Sequence, residues 1–267
     1  MATGKESRKY DVVLYGASGF VGRQTVAYFA RHPQVKALGL KWAIAGRSAD
    51  KLEAVRKDTG ARQAGIVVAE AHDARAMDTL ARSAAVVLST AGPFALYGSE
   101  LVAACVRHGT HYVDITGETP WVKGLIDRHH AEAERKGARI IPFCGFDSIP
   151  SDLSARLANE AMWARYGEAC TAVKVAFSIR GGFNGGTLAS LFNMLASGQS
   201  DAMSDPFLLN PDGMRPADAA EMLCPACQRV RDRVPAGYLT LSGAFLASHR
   251  ADILHLGHDH GQRACGV

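Results

Sequence analysis

Short apolar runs alternate with amphipathic segments through the first half of the chain. Val12, Val13 and Leu14 form one such run, which breaks into glycines at Gly16, Gly19 and Gly22 before residues 20–29 resume with helical spacing. The pattern then repeats. Apolar runs at 42–45, 65–69, 84–89, 111–114 and 139–142 are separated by segments at 49–57, 73–82, 99–108 and 121–136 that read as helices. Runs this short suit strands buried on both faces, and the intervening segments suit helices that cover them. Asp73 is placed to cap the start of its helix and Gly137 to end the helix before it. The alternation predicts an α/β fold with a parallel sheet, which right-handed crossovers make doubly wound.

The pattern changes near residue 151. A helix is predicted over 151–166, and residues 171–179 alternate as a half-exposed strand does. Gly181, Gly182, Gly185 and Gly186 then lead into an amphipathic helix over 187–196. The chain therefore divides into a nucleotide-binding domain over 1–150, the start of an α+β substrate or dimerisation domain over 151–212, and a tail over 213–267. In the tail Arg, His and Cys accumulate without periodicity. The expectation is that the second domain is incomplete and that the tail results from truncation or a frame shift.

Composition narrows the class. A hydrophobic content of 48% supports a packed core. The net charge is +4, but Lys and Arg are scattered and no basic run is interleaved with aromatics, which argues against a nucleic-acid partner. No stretch reaches the roughly 18 apolar residues of a membrane span, and the opening MATGKESRKY lacks the apolar core of a signal peptide. Six cysteines are too sparse for a disulfide framework. A cytoplasmic protein without a transmembrane segment is expected. Peripheral contact with a membrane surface and a homodimer both remain compatible with the sequence.

The first glycine cluster carries the clearest chemistry. Gly16, Ala17, Ser18, Gly19, Phe20, Val21 and Gly22 connect a strand to a helix with the spacing of a dinucleotide fingerprint. One glycine makes the tight turn, one admits a pyrophosphate to the backbone, and one lets the helix pack on the strand. The helix N-terminus then offers amides to the phosphates. An acidic residue closing the second strand would select a ribose 2′-hydroxyl, but Arg47 and Ser48 stand there, which points to the 2′-phosphate of NADP.

Further chemistry is expected beyond the other strand ends, where ligands of such sheets sit. Thr90, Gly92 and Pro93 are expected beside the nicotinamide. Tyr97 and Asp147 are candidates for proton donation or substrate orientation, with Asp114 in support. Each has a plainer reading: Tyr97 lines a cleft, Asp114 braces a loop, and Asp147 with Ser148 caps the following helix. Cys144 reads as an inert cysteine. Cys224 and Cys227, with downstream histidines, lack the spacing of a zinc site, so no metal is expected.

With these loops assembled, the chain resembles the saccharopine dehydrogenase-like family, in particular its trans-acting enoyl reductase subfamily. The resemblance rests on GASGFVG at 16–22, AGRS at 45–48, GPFALYG at 92–98, YVDITGE at 112–118, CGFDSIPSD at 144–152 and GGT at 185–187, and covers about residues 8–212. It implies an NADP-binding Rossmann domain with an α+β domain inserted before the final elements. It also implies a small-molecule or acyl substrate, since family members act in lysine metabolism or serve polyketide and glycolipid assembly. The reading that follows is an NADP-dependent oxidoreductase delivering hydride to an enoyl C=C or an imine C=N bond. The alternative is an NADP-binding sensor or scaffold, or an inactive truncated member.

Overall fold

The structure is a computed structural model and describes residues 8–146, 148–170, 173, 177–178, 185–198, 205, 208–210 and 238–239. It divides into two compact units, residues 1–144 with 184–193, and residues 145–183 with 194–267.

The first unit is built on six strands, β1 (Tyr10–Tyr15), β2 (Trp42–Gly46), β3 (Gly65–Val68), β4 (Ala84–Ser89), β5 (His111–Asp114) and β6 (Ile140–Ile141). All their pairings are parallel, in the order β3-β2-β1-β4-β5-β6. The chain first winds outward from β1 through β2 to β3, then crosses back to β4 on the other side of β1. Sheets of this order hold their ligand crevice at that reversal, beyond the carboxyl ends of β1 and β4. The central register puts Val13 beside Ala43 and Val87, and Tyr15 beside Ala45 and Ser89.

The apolar pattern is explained by burial. Leu14, Ile44 and Trp42 pack with Val26 and Ala30 of α1 (Phe20–Arg31), Val35 of α2 (Pro33–Ala37), and Leu52 and Val55 of α3 (Ala49–Asp58). The ring of Phe29 meets that of Trp42 edge-on at 5.1 Å, a preferred aromatic geometry. Elsewhere α4 (Ala74–Ser83) packs on α6 (Ser99–His108), with Met77, Leu80, Leu101 and Val102 all buried.

Helix ends follow the local chemistry read from the sequence. The Asp73 carboxyl accepts from the amides of Arg75 and Ala76 at the start of α4. Gly109 ends α6 and Gly137 ends α7 (Thr119–Lys136), both with left-handed backbone. Two short helices, α2 and α5 (Phe94–Tyr97), add to the predicted set; helices this short carry no apolar period. The strand predicted over 139–142 shrinks to Ile140–Ile141, because only these residues pair with β5 at the sheet edge.

In the second unit, α8 (Ile149–Tyr166) begins two residues before the predicted start. Ser148 occupies its N-cap, but the side chain makes no capping hydrogen bond, which corrects half of the capping expectation. Asp147 lies outside the described residues. Of the strand predicted over 171–179, Phe177–Ser178 is described as β7, paired antiparallel with β8 (Tyr238–Leu239). The helix predicted over 187–196 is α9 (Gly185–Ala196), most of which belongs to the first unit. Cys224, Cys227 and the histidines from His249 onward lie outside the described residues, as does most of the tail assigned to 213–267.

Candidate functional site

The turn from β1 into α1 is shaped by its glycines, each for a different reason. Gly16 has φ +81, and a Cβ there would lie 2.8 Å from the amide nitrogen of Ala91. Gly22 sits so close to the carbonyl oxygen of Gly16 that a Cβ would collide with it. Both positions therefore demand glycine for packing. Gly19 differs. It is exposed, a Cβ there would meet only the Gly16 carbonyl oxygen at 3.3 Å, and it is the N-cap of α1 without any side-chain capping bond. No acidic residue occupies the first turn of α1. The amides that open a helix have no partner within it. Here they are left to the crevice beside Ser18, Phe20 and Val21, a cradle that fits a diphosphate.

At the end of β2, Gly46 is buried and the chain turns outward at Arg47. Arg47 is exposed and makes no hydrogen bond or ion pair among the described residues. Ser48 caps α3 by accepting from the Lys51 amide at 3.4 Å, which leaves its hydroxyl proton to donate elsewhere. Tyr15 lies close by at the end of β1. Burial, with a smaller contribution from Glu70, pushes its phenol up to about 12, so it stays neutral at ordinary pH.

Across the crevice, the loop after β4 packs directly on the glycine turn. The Thr90 amide donates to the Tyr15 carbonyl at 2.9 Å, and its hydroxyl lies 3.2 Å and 3.3 Å from the carbonyl oxygens of Tyr15 and Gly16. Gly92 and Pro93 follow, joined by a cis peptide, and lead into α5. Tyr97 closes that helix half-buried, its ring 5.6 Å from that of His72. The structure thus brings together Gly16–Gly22, Thr90, Gly92 and Pro93, with Arg47 at the neighbouring strand end.

Asp114, at the end of β5, is fully buried. It accepts from the Tyr112 hydroxyl at 2.9 Å, the Thr116 amide at 3.0 Å and the Phe143 amide at 3.2 Å. Phe143 has φ +61, a conformation rare outside glycine, and the Asp114 contact holds it there. Burial raises the Asp114 carboxyl to about 6 against the pull of these donors. Its geometry is that of a brace tying the loop after β5 to the loop after β6.

Glu118 is the residue that sequence reasoning missed. It is 1% exposed, and its carboxyl oxygens accept from the amides of Phe94 at 2.7 Å and Ala95 at 2.8 Å. Its partners lie more than twenty residues away in sequence, so no local spacing announces it. The one available signal was an acidic side chain within a glycine-containing strand-end loop.

A parallel sheet reversing at β1 and β4, with an uncapped glycine-rich helix start at the reversal, defines a dinucleotide-binding Rossmann domain. Residues 12–141 match the family model described as the saccharopine dehydrogenase NADP binding domain, so the chain carries this domain. NADP is the cofactor the domain binds. Among relatives, a Mycobacterium tuberculosis protein provisionally named a trans-acting enoyl reductase is 42% identical over 77% of this chain and 50% of its own length. A trans-acting enoyl reductase of Mycobacterium leprae is 39% identical over 78% of this chain and 51% of its own. The chain thus spans about half the length of these relatives. The saccharopine dehydrogenase (L-Glu forming) of Saccharomyces cerevisiae, in its apo form, is 21% identical. Its TM-score is 0.46, covering 57% of this chain and 31% of that one. Among the described residues, no helix is long and apolar enough to cross a membrane, and no cluster of His, Cys, Asp or Glu could hold a metal ion.

Proposed function

We propose that this chain is an NADP-dependent oxidoreductase that transfers hydride to an enoyl C=C bond of an acyl substrate. The observation that carries the reading is the end of β2, where Arg47 is exposed and makes no hydrogen bond or ion pair among the described residues, and where no carboxylate closes the strand. The names of the mycobacterial relatives favour the enoyl substrate over an imine.

In this reading the amides of Ser18, Phe20, Val21 and Gly22 hold the pyrophosphate, with Gly16, Ala17 and Gly19 shaping the approach. Arg47 and Ser48 bind the 2′-phosphate, the guanidinium contributing a charge-assisted bond. Thr90, Gly92 and Pro93 line the nicotinamide half. The cofactor, when bound, supplies the hydride, and the protein supplies orientation and electrostatics. Tyr97, half-buried on α5, is the candidate proton donor, and Asp147 a candidate for orienting substrate. Asp114 acts indirectly, through the loops it braces.

The test is to follow NADPH oxidation by the purified chain with an enoyl thioester, and separately with an amino acid and 2-oxo acid pair that forms an imine. Oxidation with the thioester alone is the expected result. Oxidation only with the imine-forming pair would replace the enoyl substrate. Clear stabilisation by NADPH with no turnover of either would favour a sensor or scaffold role.

A further inference from the structure

The Glu118 carboxyl is satisfied entirely by donors from other parts of the fold. Besides the amides of Phe94 and Ala95, it accepts from the Ser190 hydroxyl of α9 at 2.9 Å. Its own amide donates to the Thr116 hydroxyl oxygen at 3.0 Å, which fixes the turn that presents it. A carboxyl this deeply buried is costly unless its hydrogen bonds are made. What those bonds hold is specific: the backbone immediately after Gly92 and Pro93, on the β4 side of the crevice. That loop is also pinned from the opposite direction, because Thr90 bonds to the Tyr15 and Gly16 carbonyls and Ala91 packs on Gly16. The 90–95 segment is thus clamped at both ends. Gly92 lies between the clamps with its amide 3.3 Å from the Thr90 carbonyl oxygen.

We propose that Glu118 is a positioning residue that sets the 92–95 backbone as the wall of the nicotinamide half of the cofactor site, with Ser190 of α9 completing the clamp. The proposal rests on the NADP reading above. It gives α9 a defined task, since its Ser190 reaches the acid that shapes the cofactor wall. The adenine half, held by the glycine turn and Arg47, lies on the β2 side and does not depend on Glu118.

That division provides the test. Affinities for NADPH and for adenosine 2′,5′-bisphosphate, which carries the 2′-phosphate but no nicotinamide, are measured by calorimetry for the wild type, Glu118→Gln and Ser190→Ala. Glutamine can satisfy only one of the two backbone donors that the paired oxygens now accept. The expected result is an NADPH affinity lowered about tenfold in Glu118→Gln, with the bisphosphate changed by less than about twofold. Ser190→Ala shifts the same way by a smaller factor, and it decides the matter if Glu118→Gln does not fold. An equal loss for both ligands, or unchanged NADPH binding in both variants, would overturn the proposal while leaving the NADP reading intact. A wild-type chain that binds neither ligand would overturn both.

Discussion

Asp114 shows how one buried side chain links local geometry to pH. Its carboxyl is raised to about 6 by burial, from an ordinary value of 3.8, so the native chain holds this proton more tightly than the unfolded chain. The stability this group contributes is therefore fully present below the unfolded value. It is lost as pH rises through about 6, a change on the order of 3 kcal/mol. Asp114→Asn removes the titration while keeping an oxygen for the Thr116 and Phe143 amides. Its amide can face the Tyr112 oxygen if that hydroxyl turns away. Urea unfolding of both proteins between about pH 4 and 7 should show the variant gaining on the wild type as pH rises. Parallel pH curves would mean that Asp114 does not titrate in this way. The residue type and its loop were readable in the sequence. The three donors were not, because one of them, Phe143, comes from a different strand end.

At the scale of elements, legibility followed length and caps. The strand at 84–89, the helix at 99–108 and the strand at 111–114 have the same limits in the structure as in the sequence pattern. Each has an apolar period with polar or glycine residues at its ends. Helix α5 was hidden for a physical reason: its opening amides are satisfied by Glu118 across the fold and not by a neighbouring side chain. The Asp73 cap of α4 is the opposite case, since its acceptor and donors are two and three residues apart. Asp73→Ala should cost about 1 kcal/mol in chemical denaturation by orphaning amides at the start of α4. No change in the unfolding midpoint would show that water replaces the cap without loss.

At the scale of the molecule, the proposed site puts the two halves of a dinucleotide on opposite sides of β1, and each side carries its own determinants. Arg47 and the glycine turn belong to the β2 side, and the Thr90 to Pro93 loop to the β4 side. The parallel, doubly wound character of the sheet was legible in the alternation of strands and helices, whereas its strand order came from the structure. The second unit was less readable. Its elements depend on pairing such as that of β7 with β8, whose partners are about sixty residues apart. No local pattern encodes that register. The central claim concerns the first unit alone: a site that selects NADP through Arg47. It is tested most directly by titrating the wild type and Arg47→Asp with NADPH and NADH. The wild type should bind NADPH at least about tenfold more tightly than NADH, and Arg47→Asp should remove or reverse that preference. Equal affinities in the wild type, or a preference for NADPH that survives in Arg47→Asp, would contradict it.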